Sequence, residues 1–284
     1  MTIAVASGKG GTGKTTIATN LAVIASEKYD RVTLLDCDVE EPNSHIFING
    51  EKVNEEIVNV KIPEVDESLC TECGACSDFC QYNAIVSLKG KPVVFKEMCH
   101  SCGGCSLVCQ PKAIHEVDHR IGVINFYKSG KISLIEGLLD VGSPLSPPLI
   151  GAVKKHENKE ELNIIDAPPG TSCPVIEAIR DADYIILVTE PTPFGLNDLI
   201  LAVEVSRKLN KRFAVAINRV GSGDDRVHKY CKKENIPIIL EIPDDRKIAE
   251  LYSNGKIILG NLPEYKKSFE EVLEKIGMVI QNEQ

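Results

Sequence analysis

Residues 6–16 read Ala6-Ser7-Gly8-Lys9-Gly10-Gly11-Thr12-Gly13-Lys14-Thr15-Thr16 and satisfy the pattern G-x-x-x-x-G-K-[ST], with Gly8 and Gly13 framing a loop that Lys14 and Thr15 close. The flanks decide what kind of loop it is. Thr2-Ile3-Ala4-Val5-Ala6 is a short apolar, β-prone run, and Ile17, Leu21, Ile24 and Ala25 recur at helical spacing after it. The loop therefore joins a strand to a helix, as a phosphate cradle requires. Gly8, Gly10, Gly11 and Gly13 let successive backbone N–H groups converge on an anion, and the helix N-terminus adds partial positive charge there. Lys14 is placed to reach β- and γ-phosphate oxygens, and the Thr15 hydroxyl to complete a Mg²⁺ shell.

Lys9 makes the loop unusual. The run Lys9-Gly10-Gly11-Thr12-Gly13-Lys14-Thr15 resembles the deviant Walker A signature of the family that includes MinD, ParA and the nitrogenase iron protein. The resemblance implies an α/β P-loop NTPase, with a mostly parallel sheet flanked by helices, that binds ATP and forms a homodimer with it. It also implies that Lys9 crosses the dimer interface to the partner's nucleotide; taken alone, Lys9 is equally readable as a solvated cation. On this resemblance ATP is held by Gly8, Lys9, Gly10, Gly11, Thr12, Gly13, Lys14, Thr15 and Thr16.

The run Arg31-Val32-Thr33-Leu34-Leu35 reads as a second buried strand, ending in Asp36-Cys37-Asp38-Val39-Glu40-Glu41-Pro42-Asn43. Carboxylates at the carboxyl end of a parallel strand sit in the crevice where such sheets bind ligands. The segment resembles the family's switch I, which implies that Asp38 orients the attacking water, that Asp36 lies near the magnesium shell and that Asn43 is a further switch residue. Glu40 and Glu41 read as the acids of a turn, and Cys37 as a small buried side chain. In Leu162-Asn163-Ile164-Ile165-Asp166-Ala167-Pro168-Pro169-Gly170 an apolar strand ends in aspartate, the Walker B arrangement, and Pro-Pro-Gly resembles switch II. That likeness implies that Asp166 holds magnesium and that Gly170 lets the backbone move when the γ-phosphate leaves. Lys9, Lys14, Asp38 and Asp166 are the catalytic set so implied, and Thr15, Asp36 and Asp166 the magnesium set. Segments 184–188, 213–217 and 238–240 read as further strands; Asn218-Arg219 resembles the family's adenine-recognition position, and Pro243-Asp244 the loop flanking the same base.

Between these parts the texture changes. Of the 11 cysteines, eight fall in two groups, Cys70-x-x-Cys73-x-x-Cys76-x-x-x-Cys80 and Cys99-x-x-Cys102-x-x-Cys105-x-x-x-Cys109. The second copies the first at a fixed offset, and the likeness extends to Asn83-Ala84-Ile85 against Lys112-Ala113-Ile114, with Gly74 and Gly103-Gly104 between second and third cysteines. A reducing compartment favours metal binding over disulfides for such a set. The spacing resembles that of bacterial two-cluster ferredoxins, where the fourth cysteine of each run ligates the other cluster. That implies one [4Fe-4S] cluster on Cys70, Cys73, Cys76 and Cys109, and a second on Cys99, Cys102, Cys105 and Cys80. The pattern departs from the ferredoxins where proline would follow the fourth cysteine, since Gln81 and Gln110 stand there. The alternative is a pair of zinc sites, although zinc ribbons supply two cysteines per loop rather than four. His100, beside Cys99, reads as a solvated neighbour. The chain thus reads as two domains in three segments: residues 1–62 as the first part of the ATPase domain, 63–116 as an inserted ferredoxin-like α+β domain, and 117–284 as the second part of the ATPase domain. So few large apolar side chains in 63–116 leave much of its stability to the clusters.

The 284 residues are 43% hydrophobic, enough for a buried core, with a net charge of −9 that offers no footprint for nucleic acid or an anionic membrane. The basic group Arg207-Lys208-x-x-Lys211-Arg212 suits a helix end as well as a DNA contact. No apolar run approaches the roughly 20 residues that span a bilayer, and no leader precedes the first strand, so a cytoplasmic location is expected. Cys173, close behind switch II, reads as a buried or interface thiol, or as part of a third metal site. Three functions are compatible with these motifs. The first couples an ATP-dependent dimer cycle to electron transfer through the two clusters, toward a redox partner protein. The second is an iron–sulfur or metal carrier that delivers its cargo to an apo-protein client. The third is a positioning ATPase that uses the ferredoxin-like unit as a redox sensor.

Overall fold

β1 (Thr2–Ser7) is buried at all of its positions, as a continuous apolar run should be when both faces of a parallel strand are covered. The computed structural model describes residues 1–281. The chain continues through α1 (Lys14–Lys28), β2 (Val32–Asp36), α2 (Ser44–Ile48) and β3 (Glu51–Val65), then α3 (Ala75–Phe79), β4 (Ile85–Leu88), β5 (Lys91–Val94) and α4 (Gly104–Val108). It resumes with β6 (Ile114–Ser129), β7 (Ile132–Leu139), α5 (Ser146–Lys154), β8 (Leu162–Pro169), α6 (Cys173–Ile179), β9 (Tyr184–Thr189) and α7 (Pro193–Lys208). β10 (Phe213–Val220), α8 (Arg226–Lys233), β11 (Ile238–Pro243), α9 (Arg246–Ser253) and α10 (Lys266–Gln281) complete it. The large sheet has the order β11-β10-β9-β1-β8-β2-β7-β6-β3.

The ladders from β11 to β7 are parallel. β1 lies between β8 and β9, so the chain leaves it toward one side of the sheet and later returns on the other. The crevice that opens at such a reversal, beyond the carboxyl ends of the strands, is where sheets of this kind bind ligands. Residues 51–65, where apolar and charged side chains alternate, form a 15-residue strand, β3, exposed along its first seven positions.

The chain forms two compact units. One comprises Met1–Glu55, Ile124–Leu138 and the described chain from Ile150 onward; the other comprises Glu56–Val123 and Leu139–Leu149. In the first unit α1 is buried through most of its length because it is covered by the sheet on one side and by α10 on another. Phe269, Val272, Leu273 and Ile276 of α10 recur at helical spacing and join Ile17, Leu21 and Ile24 in one core. Lys28–Glu274 at 2.8 Å and Lys266–Glu27 at 2.6 Å tie the exposed rims of the two helices. Such exposed pairs are screened by solvent and contribute little, so apolar burial holds α10 in place.

The second unit repeats itself in backbone conformation as well as in sequence. Glu72, Gly74 and Asn83 have positive φ, and so do their counterparts Ser101, Gly103 and Lys112. Asp78 N–H donates to the Gly74 carbonyl at 3.1 Å, and Leu107 N–H to the Gly103 carbonyl at 3.2 Å, each closing a five-residue helix. A Cβ at Gly104 would enter the Phe79 ring, so the two copies meet where a glycine allows it. Within this unit the antiparallel hairpin β4–β5 turns at Lys89-Gly90 with positive φ at both residues. Its apolar cluster holds just Ile85, Ala113, Ile114 and Cys109 as buried members, with other cysteines packed around them. Thiols therefore occupy much of the space that leucines fill elsewhere.

Truncating the largest fully buried side chain of the first unit, Phe269→Ala, should destabilise the protein by about 3–5 kcal/mol in urea titrations. A loss under 1 kcal/mol would show that α10 is not part of the cooperative core.

Candidate nucleotide site and cysteine clusters

The loop after β1 is shaped from both ends. Ser7 Oγ donates to the Lys9 carbonyl at 2.6 Å, and Gly13, with φ 99°, provides the left-handed turn that starts α1. A Cβ at Gly13 would also strike the Asn218 side-chain amide, and one at Gly8 the backbone carbonyl of Asp198 in α7. Asn218 Nδ2 donates to the Thr12 carbonyl at 2.9 Å, while its Oδ1 accepts the Arg219 N–H at 2.9 Å. The Gly170 N–H donates to the Ser7 carbonyl at 3.0 Å, so the segment read as switch II is joined to the loop's entrance. Asp244 N–H donates to the Val220 carbonyl at 2.9 Å, bringing Pro243-Asp244 beside the Asn218-Arg219 end of β10. Residues chosen from distant stretches of sequence as nucleotide contacts thus converge on one loop.

Three carboxylates line the adjacent strand ends. Asp36 is level with Asp166 on one side and with Glu136 on the other, and all three are buried. Their surroundings differ. Asp36 accepts backbone N–H groups from Asp38 at 3.1 Å, Asn43 at 3.1 Å and Ser44 at 2.9 Å, so it braces the segment that carries Asp38. Glu136 contacts His45 Nδ1 at 2.5 Å and lies near Asn125 and the Tyr127 hydroxyl. Neither oxygen of Asp166 has a hydrogen-bond partner among the described residues, and the same holds for the Thr12 hydroxyl. Unpaired buried polar atoms at the mouth of a phosphate loop fit a hydrated cation and an anion better than they fit an apolar void.

The electrostatics follow from that burial. Desolvation, then the neighbouring Asp36, pushes the Asp166 carboxyl well above the ordinary range; Lys14 and the Thr15 hydroxyl facing it, outside hydrogen-bonding geometry, oppose the rise. Burial raises Asp36 as well, against the N–H donors that favour its charged form. Asp38 is pushed up to about 6, mainly by desolvation, with Lys14 holding it down and Asp36 adding to the rise. Buried acids this close together, only partly offset by Lys14, are an arrangement that a divalent ion would relieve.

Two members of this neighbourhood were missed in the sequence. Glu136 ends the apolar run 132–135, and Glu190 follows the apolar run 185–188, which is the same signal that marked Asp36 and Asp166. Glu190 Oε2 lies 3.1 Å from the Lys9 ammonium and its Oε1 2.9 Å from the Arg219 guanidinium.

In the second unit the eight cysteines separate into two sets. Cys70, Cys73, Cys76 and Cys109 line one cavity, and Cys80, Cys99, Cys102 and Cys105 line another. Each set takes three thiols from one run and one from the other. Burial raises Cys76, with Cys109 and Cys70 as like-charged neighbours, and raises Cys99, with Cys102 and Cys80. At Cys80 burial is outweighed by backbone N–H groups of Ile85, Tyr82, Ala84 and Asn83, which leave its thiol lowered. Such N–H donors stabilise thiolate, the form in which cysteine binds metal. Among the described residues no three His, Cys, Asp or Glu side chains close on a single point as one metal ion would need. His100, read as solvated, stacks on Tyr82 with ring centroids 3.6 Å apart. Cys37 and Cys231 are buried, and Cys173 is exposed at the start of α6 rather than buried. No helix of the described chain is long and apolar enough to cross a membrane.

This chain is similar to known proteins over nearly its whole length. A protein of Methanocaldococcus jannaschii with no assigned function is 35% identical over 280 residues, covering 97% of this chain and 96% of that one. The iron-sulfur cluster carrier protein of Pyrococcus abyssi is 25% identical, covering 96% and 84%. Among solved structures, the septum site-determining protein MinD of Pyrococcus horikoshii, complexed with Mg-ADP, superposes with a TM-score of 0.62 at 22% identity, covering 97% of this chain and 96% of that one. The family described as the CobQ/CobB/MinD/ParA nucleotide binding domain matches residues 3–258. The match covers most of the chain, which belongs to this family and is a P-loop ATPase.

Proposed function

We propose that this ATPase couples an ATP-dependent dimer cycle to electron transfer through two [4Fe-4S] clusters. The observation that carries the reading is the sorting of eight cysteines into two cavity-lining sets of four, each drawn from both copies of a repeat. Zinc would leave the third thiol of each run unexplained. The donors suit iron–sulfur cubes, which supply one-electron storage when bound.

At the nucleotide end Lys14 neutralises phosphate charge, and the Thr15 hydroxyl and Asp166 would hold Mg²⁺. Asp38 orients the water that attacks the γ-phosphate, and Asp36 keeps Asp38 in place through the backbone N–H bonds of its own loop. Asn218, Arg219, Pro243 and Asp244 surround the base. Lys9 reaches the nucleotide of a second copy. A coupling of about 1–3 kcal/mol between the two ends would move a one-electron potential by about 45–130 mV. That suffices to gate transfer between partners of similar potential, not to drive a steep uphill reduction. A second reading, delivery of a cluster to an apo-protein client, is favoured by the likeness to the iron-sulfur cluster carrier protein of Pyrococcus abyssi.

Prepared without oxygen, the protein should carry about eight iron atoms per chain, and Cys76→Ala should halve the stable content. An iron-free chain would sink both readings. Anaerobic titration with and without ATP then separates them: a nucleotide-dependent potential or transfer rate supports electron transfer, whereas loss of iron to an apo-ferredoxin supports delivery.

Asp38→Asn should lower kcat for ATP hydrolysis by about 100-fold with KM little changed, since proton and water positioning contributes on that scale. Because the Asp38 carboxyl is raised in the folded state, the nucleotide-free fold binds its proton more tightly than the unfolded chain does. Its contribution is therefore most favourable at low pH and is lost as pH rises from about 4 to about 6, by at most about 3 kcal/mol. Urea midpoints across that window should fall less in Asp38→Asn than in the parent protein.

A further inference from the structure

Glu190 is the one carboxylate on which two cations of the nucleotide site converge in the described chain. Its side chain is 9% exposed, against 34% for Lys9 and 55% for Arg219. The turn that carries it is held from several directions. Thr189 Oγ1 donates to the Gly195 carbonyl at 2.8 Å, Gly195 N–H donates to Thr192 Oγ1 at 3.0 Å, and Asp224 N–H donates to the Pro191 carbonyl at 2.8 Å. A Cβ at Gly195 would enter the Glu190 carbonyl, and one at Gly223 the Pro191 carbonyl, so the turn is packed backbone against backbone. The Glu190 backbone is thus set in place, whereas Lys9 stands at the end of a flexible stem on a glycine-rich loop.

A buried carboxylate stripped of its only cation is strongly disfavoured. Glu190 escapes that penalty because Arg219 remains when Lys9 departs. The arrangement makes Lys9 the exchangeable member and Arg219 the retained one. A nucleotide triphosphate offers several anionic oxygens where Glu190 offers a share of one charge, so phosphate can draw Lys9 away.

From this geometry we infer that Glu190 is a positioning residue that stores Lys9 against its own protomer in the nucleotide-free state and releases it for phosphate. The inference rests on the reading that Lys9 serves an ATP-dependent dimer. Glu190 then sets how much ATP is needed before two copies join, and Arg219 couples that threshold to the base-binding end of the site.

The test is the concentration of hydrolysis-resistant Mg–AMPPNP at which half the protein is dimeric, measured by light scattering on the full chain. Glu190→Gln keeps the size and a hydrogen bond for Arg219 but removes the charge, and should lower that concentration about tenfold. Glu190→Asp keeps the charge and should stay within about twofold of the parent. A parent protein that remains monomeric at saturating nucleotide would overturn the dimer reading itself, and the inference with it. A dimerising parent with an unchanged or raised midpoint in Glu190→Gln would overturn the storage role alone. An equal drop in both variants would also overturn it, because loss of charge would then not be the cause.

Discussion

Three buried carboxylates side by side, Asp166, Asp36 and Glu136, form the constraint that the nucleotide unit is arranged around. Acids at this depth are tolerable only if each is given something to do. Asp36 is satisfied by backbone N–H groups and Glu136 by His45, so the loop after β2 and the start of α2 are drawn onto the strand ends. Asp166 alone is left without a hydrogen bond among the described residues. The unfavourable charge is concentrated there, beside the Lys14 ammonium. Stability has been given up locally in a place where ligand binding restores it.

The phosphate loop is held by contacts of the same economy. Asn218 ties its Thr12 carbonyl to β10, Asp198 of α7 closes against Gly8, and Gly170 links the segment after β8 to Ser7. The loop is therefore tied to three separate elements of the unit, by a side-chain amide, by close packing and by a backbone hydrogen bond.

The second unit solves a different problem. The apolar cluster around its cysteines, with Ile85, Ala113, Ile114 and Cys109 as buried members, is far smaller than the one that holds α10 to α1 in the first unit. Its order depends on short helices that begin at left-handed glycines and on a repeated set of tight turns. Glu72, Ser101 and Lys112 adopt positive φ, which such residues seldom do, so these turns are held by their surroundings rather than by local preference.

Much of this was legible in the primary structure because the signals were local. The strand–loop–helix around Gly8–Gly13, the apolar runs ending in Asp36 and Asp166, and the duplicated cysteine spacing each depend on neighbours in sequence, where backbone periodicity and turn chemistry act. Glu136 and Glu190 carried the same mark, an acid closing an apolar strand, yet no motif surrounds them. Their importance arises from partners 91 and 181 residues away, His45 and Lys9. The sorting of thiols into Cys70, Cys73, Cys76 with Cys109, and Cys99, Cys102, Cys105 with Cys80, was implied by resemblance but follows spatially only when the two copies fold against each other through Gly104 and Phe79. By itself, then, the sequence determined the class of fold, the phosphate loop and the two cysteine runs. Only the tertiary structure decided which buried charges stand unpaired and which cations share a carboxylate, because burial and ion pairing are set by strand order and by distance across the sheet, neither of which is a property of a stretch of chain.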